Sequence, residues 1–147
     1  RTAGSGDLTY MQINPYLSFN GQCEEAFQCY ERVFGGQLGT LFRYAGSPMA
    51  DQVPADWQNK VMHTSLTVGS VVLHGADAMP EQYEEPKGFS LSLNMTNTAD
   101  AERIFGELAR GGRVVIPLAQ TFWAARFGHL VDRFGIVWLV NCEETTV

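Results

Sequence analysis

Hydrophobic and polar positions run through the same order twice along this chain. Between residues 13 and 19 they alternate: Ile13, Pro15, Leu17 and Phe19 share one side, Asn14, Tyr16 and Ser18 the other. A period of two describes a half-buried strand. The period then lengthens. Cys23, Ala26, Phe27, Tyr30, Val33 and Phe34 form one stripe at helical spacing, which predicts a helix over 22–34. Glu24 and Glu25 fall in its first turn, where the positive end of the helix dipole favours acids. Gly35-Gly36 closes it, since glycine accepts the left-handed backbone of a helix C-cap. Three further strands are predicted at 37–44, 60–68 and 70–76, with a Pro-containing loop over 45–59 and a tight turn at Gly69-Ser70.

The second pass repeats the plan. Phe89, Leu91, Leu93 and Met95 alternate with Ser90, Ser92 and Asn94. A helix follows over 99–110, with Thr98 as its N-cap and a stripe of Ala101, Ile104, Phe105, Leu108 and Ala109. Gly111-Gly112 ends it, the second and last Gly-Gly pair in the chain, and strands are predicted at 113–121, 127–132 and 136–142. The fold class is therefore α+β, with two tandem β-α-β-β-β modules at about 11–79 and 88–143. A polar linker with two prolines joins them at 80–87. Residues 1–10 read as an added or disordered tail before Met11, leaving 11–147 as a single domain. Helices cover one face of each sheet. The other faces carry Asn14/Tyr16/Ser18, His63/Ser65/Thr67 and Ser90/Ser92/Asn94, polar rows that predict a curved sheet around a wet cleft.

Composition narrows the partners. The chain has 147 residues, 45% hydrophobic and 18% charged, which is globular in character. A net charge of −6 without a basic run argues against nucleic acid or an anionic membrane. No apolar stretch approaches the ~20 residues of a membrane span. Cys23, Cys29 and Cys142 form no disulfide framework, which points to a reducing cytoplasm.

The order of elements resembles the vicinal oxygen chelate superfamily of glyoxalases, bleomycin-binding proteins, fosfomycin-resistance enzymes and extradiol dioxygenases, and within it the PhnB-like branch. Several segments carry the resemblance: Pro15-Tyr16-Leu17-Ser18-Phe19, the helix end Tyr30-Glu31-Arg32-Val33-Phe34-Gly35-Gly36, His63, and Asp77-Ala78-Met79-Pro80. More specific is the run from Gln120 through Phe122, Trp123 and Arg126 to Gly128, followed by Asp132-Arg133-Phe134-Gly135-Ile136-Val137-Trp138. The resemblance spans about residues 12–143 and implies a homodimer. It also implies, for many members, a divalent metal held by His and Glu. The position of the family's last acid, four residues after the turn glycine Gly135, is Leu139, which cannot ligate. The matching first-strand positions offer Asn14, Tyr16, Ser90 or Ser92 and no imidazole. A methyltransferase is not supported by a strand followed by a Gly-rich nucleotide loop, because Gly35-Gly36 follows a helix.

The candidate ligand contacts are His63, Ser65, Asp77, Phe122, Trp123 and Arg126. His63 titrates near neutrality and shares a polar face with Ser65, though a histidine satisfied in the core reads equally from the sequence. His74 pairs with it as a metal couple only if strand parity puts both on one face. Asp77 reads as a general base or as a turn residue. Phe122 and Trp123 offer stacking surface and Arg126 a bidentate anion contact, or else the aromatics brace the two halves or a dimer interface and Arg126 is simply solvated. Glu81, Glu84 and Glu85 read as a solvated linker face, and Cys23 as core. The leading expectation is a protein that binds a small metabolite in the concave cavity, without metal or other cofactor. The alternative is a metal-dependent lyase, isomerase or transferase of the glyoxalase type. A purely structural partner is the third reading.

Overall fold

A computed structural model describes residues 11–144; the tail assigned to 1–10 lies outside them. Among the described residues two α-helices, two single-turn 3-10 helices and nine strands make two similar units. In the first, β1 (Tyr16–Phe19) leads into α1 (Cys23–Phe34), then β2 (Gln37–Leu38), β3 (Phe42–Arg43), β4 (Val61–Val68) and β5 (Val71–Asp77). In the second, β6 (Leu91–Met95) leads into α2 (Thr98–Ala109), then β7 (Arg113–Ala119), β8 (Arg126–Val131) and β9 (Val137–Cys142). Hydrogen bonding makes two sheets, ordered β1-β5-β4-β2 with β3 also on β4, and β6-β9-β8-β7. In each, the first strand runs parallel to the last, and the remaining pairs are antiparallel. This is the expected α+β plan. Among the described residues no helix is long and apolar enough to cross a membrane.

Local chemistry explains where the elements depart from the pattern. The first strand begins at Tyr16, not Ile13, and Ile13 is 93% exposed. Pro15 has no N–H to offer a ladder; its carbonyl accepts from His74 N at 2.9 Å and pairing starts one residue later. The strand expected over 37–44 is two short pieces. Gly39 lies so close over Ser65 that a Cβ there would stand 2.4 Å from Oγ, and the register slips by Phe42/Arg43. The cap of α2 is Asn97, one residue earlier than expected, whose Oδ1 accepts from Asp100 N at 3.1 Å.

Both helices lie against one side of the sheets and touch each other, so a single core spans the two units. Its centre is aromatic. Tyr30 of α1 meets Phe134 and Trp138 of the second unit at ring-centroid distances of 6.1 and 5.4 Å, and Phe34 meets Trp138 at 5.4 Å. Beneath them Asp132 is buried and accepts four hydrogen bonds. Phe134 N and Ile136 N bond its Oδ1 at 2.9 and 3.0 Å; Trp138 Nε1, at 2.9 Å, and Tyr30 Oη bond its Oδ2. One carboxylate thus ties the β8–β9 turn to the first helix. Burial, then the neighbouring Asp132 charge, raises the Tyr30 pKa, so its hydroxyl stays a donor at neutral pH.

Candidate functional site

Strand alternation separates a packed face from an open one. Gly75 of β5 faces α1, for a Cβ there would lie 2.3 Å from the Phe27 ring. Leu17 and Thr64, its register partners, lie on the same side. Tyr16, Ser65 and His74, one step along, point away from the helix. In the second sheet Gly128 faces Phe105 of α2 with a Cβ position 2.6 Å from that ring. His129 and its partner Leu139 therefore point away, in one row with Ser92. All three histidines of the chain, His63, His74 and His129, occupy these open faces.

On the first sheet the open face carries a row of rings. His63 Nε2 and His74 Nδ1 approach to 3.1 Å. Tyr16 stacks on His74 at 6.0 Å and 12°, and Phe42 stacks on His63 at 6.4 Å and 30°. The two outer rings are about half exposed. An imidazole pair in this contact needs one nitrogen protonated and the other bare. Burial, and then the charge of His74, lowers the His63 pKa from its ordinary value. Burial, followed by the Cys23 charge, raises that of Tyr16, which remains a phenol at neutral pH.

A depressed histidine pKa has a definite sign. Between the unfolded value near 6.5 and the lower folded value, the unfolded chain binds more protons, so His63 makes stability fall as pH drops through that window. We expect the melting temperature to fall on mild acidification, and the His63→Gln variant to lose part of that slope. Imidazole proton chemical shifts followed against pH check it; a His63 midpoint above 6.5 contradicts it.

A hollow of about 170 Å³ joins the two sheets. Tyr16 and Ser18 of β1 line one side, Ile136 and Val137 the other, and Pro86 and Phe89 add to its wall. Next to it, Lys87, Ser90, Arg113, His129 and Val137 border a shallower concavity. The linker, read from the sequence as a solvated strap, thus supplies part of the wall.

The expected contacts divide. His63 and Ser65 lie on the open face, joined there by His74, which the sequence left undecided. Phe122 and Trp123 are 94% and 53% exposed and pack edge-on to each other; Trp123 then meets Phe127 at 5.5 Å. They stand at the far end of the second sheet. Asp77 is placed elsewhere than expected: it is buried on the helix side, where Oδ1 accepts from Cys23 N and Oδ2 from Val61 N, each at 2.9 Å. It caps the start of α1 and pins β4 to it. Burial raises its pKa, and those N–H bonds oppose the rise. Arg126 also turns to the helix side, pairing with Glu102 of α2 at 3.2 Å. Neither lines the hollow, and nor do His63 and Ser65, whose open face meets it through Tyr16. Residues missed from sequence are Phe89, His129 and Lys87; the parity of Ser90 and Ser92 marks the row that holds His129 but gives no signal for the other two.

A divalent ion needs three or more converging donors. Among the described residues no group of three His, Cys, Asp or Glu side chains comes together. Leu139, where the resemblance puts an acid, lies on the open face opposite His129. The donor set therefore does not fit the metal of the wider superfamily.

Known proteins match this architecture. A family model described as 3-demethylubiquinone-9 3-methyltransferase matches residues 11–141. Protein YjdN of Escherichia coli (strain K12) is 30% identical over 139 residues, covering 89% of this chain and 95% of YjdN. The crystal structure of protein PA1353 from Pseudomonas aeruginosa is 51% identical with a TM-score of 0.83, over 92% of this chain and 99% of that one. A PhnB protein from Bacillus cereus, titled a putative 3-demethylubiquinone-9 3-methyltransferase, is 22% identical with a TM-score of 0.78, over 90% and 99%. A glyoxylase/bleomycin resistance protein/dioxygenase domain from Frankia sp. EAN1pec shares the fold at 10% identity and a TM-score of 0.64, over 91% and 98%.

Proposed function

Because this chain belongs to the PhnB-like family described as 3-demethylubiquinone-9 3-methyltransferase, within the vicinal oxygen chelate superfamily, we propose that it binds a small metabolite in its concave hollow without a metal. The observation that carries this reading is the row Phe42–His63–His74–Tyr16, polar and aromatic at once, exposed on a face that no helix covers. Rings give contact area, and imidazoles give orientation. Methyl transfer gains no support from the chain, since both Gly-Gly pairs terminate helices rather than open a nucleotide loop.

A second copy of the chain completes the site in this reading. Val114, Val115 and Ile116 of β7 are all more than 40% exposed. Val114 pairs with helix-side Leu130 and Ile116 with open-face His129 across a register shift, so exposed apolar side chains stand on both faces of this outer strand. Exposed Phe122 and Trp123 extend the patch. The three cysteines are free and buried, which supports a reducing compartment such as the cytoplasm.

Native mass spectrometry of the purified protein, followed by denaturation, tests the proposal. The expected result is a dimer that releases a small organic molecule, with retention at least tenfold weaker in Tyr16→Ala and His63→Ala proteins of unchanged circular dichroism. Ile116→Glu should give a monomer. An empty protein whose histidine resonances respond to no member of a metabolite library would overturn ligand binding. Stoichiometric, tightly held Zn, Ni or Mn in the native protein would overturn the metal-free reading in favour of a glyoxalase-type enzyme.

A further inference from the structure

A second recess, with a lining distinct from the hollow's, lies where the C-terminal ends of α1 and α2 meet the β8–β9 turn. Cys29, Arg32 and Val33 of α1, Glu107 of α2, the following Arg110 and Gly111, and Arg133 of the turn line a crevice of about 270 Å³. That is just below the ~300 Å³ at which small-molecule sites begin, so it suits a small group rather than a bulky one. Three arginines from three separate segments, all exposed, border it. Among the described residues none of Arg32, Arg110 and Arg133 has a carboxylate within 4 Å, whereas Arg43, Arg103 and Arg126 are each paired. Glu107, the acid of the crevice, is already engaged by Arg103.

Charge decides what this recess suits. Two helix C-termini hold cations through their dipoles, which accounts for part of the clustering. Each end carries about −0.5 of a charge. Both together offset roughly one of three guanidiniums, leaving an excess near two positive charges in a chain whose net charge is −6. Arg133 is also held in place: its guanidinium lies over the Phe134 ring at 4.4 Å, and Nη1 touches Cys29 Sγ at 3.9 Å. Gly111, at φ 73°, leaves no side chain in the way; a Cβ there would stand 3.3 Å from Arg133 Cδ.

We propose that the crevice between the two helix ends binds a dianionic phosphate group through Arg32, Arg110 and Arg133. Planar guanidiniums match its oxygens bidentately, and the excess charge matches its own. The site is separate from the concave hollow and stands whether or not a ligand binds there. Inorganic phosphate and glycerol 3-phosphate are titrated separately into the full chain at constant ionic strength, with arginine Nε–Hε resonances followed by NMR. Saturable shifts at Arg133, Arg32 and Arg110, absent with chloride, are expected. Tighter binding of the ester identifies a phosphate monoester, and equal binding identifies the free ion. Arg133→Gln and Arg110→Gln should each weaken binding at least tenfold while the His63 and His129 resonances stay in place, which reports an intact fold. No saturable shift, or phosphate binding unchanged in the Arg32→Gln/Arg110→Gln protein, overturns the proposal.

Discussion

Replacing Asp132 by alanine should cost about 3–5 kcal/mol, measured by urea denaturation, roughly a fifth or more of the stability of an ordinary domain. Four donors lose their acceptor at once: the backbone N–H groups of Phe134 and Ile136, the indole of Trp138 and the hydroxyl of Tyr30. Trp138 and Tyr30 are almost wholly buried, so water cannot replace the carboxylate without opening the core. Asp132→Asn keeps the volume and one acceptor oxygen but turns an NH2 toward two donors; about half the loss is expected. Tyr30→Phe removes a single donor and should cost ~1–2 kcal/mol. The two sites share one hydrogen bond, so the double variant should lose less than the sum of the singles. Additive losses, or an Asp132→Ala protein within 1 kcal/mol of the parent, would show that this carboxylate does not join the units.

That junction marks the limit of what the sequence disclosed. The helices were legible because their apolar stripes repeat at helical spacing over twelve residues each. The open faces were legible because Tyr16/Ser18, His63/Ser65 and Ser90/Ser92 alternate with core residues. Asp132 and Asp77 were not, because their partners are remote: Tyr30 lies 102 positions from Asp132, and Cys23 lies 54 from Asp77. Nothing local distinguishes a buried acid that gathers N–H groups from a turn acid or a base. Arg126 failed for a similar reason. It directly precedes the open-face Phe127, and alternation turns it to Glu102. His74 was undecided because parity across a hairpin depends on where the turn closes. The register Ser65↔His74 settles it, and the diagonal neighbour His63 follows.

The Gly-Gly pairs carry more than a helix stop, and Gly112→Ala should show it. The first glycine of each pair has the left-handed backbone, φ 70° at Gly35 and 73° at Gly111. The second has a different duty. A Cβ at Gly36 would stand 2.5 Å from the Thr67 carbonyl oxygen, and one at Gly112 would stand 2.3 Å from that of Val131. Thr67 and Val131 belong to β4 and β8, the matching strands of the two units, so one close approach of backbone to backbone occurs twice. Gly112 is the tighter, with Asp132 Cα and C each at 2.9 Å from the same point. Backbone cannot step aside as a flexible side chain can. The start of β7 must therefore leave β8, and about 3 kcal/mol of stability should go with it. Gly111→Ala meets only the Arg133 side chain, which can swing away, and should cost the left-handed penalty of about 1–2 kcal/mol. Denaturation midpoints of the four alanine variants order the effects: Gly112 above Gly111, and Gly36 above Gly35. The reverse order within either pair would mean that capping, not strand approach, fixes these positions. Displacing β7 also moves Val115 and Arg113 away from His129 across the concavity, so Gly112→Ala should weaken any ligand retained there more than Gly36→Ala does.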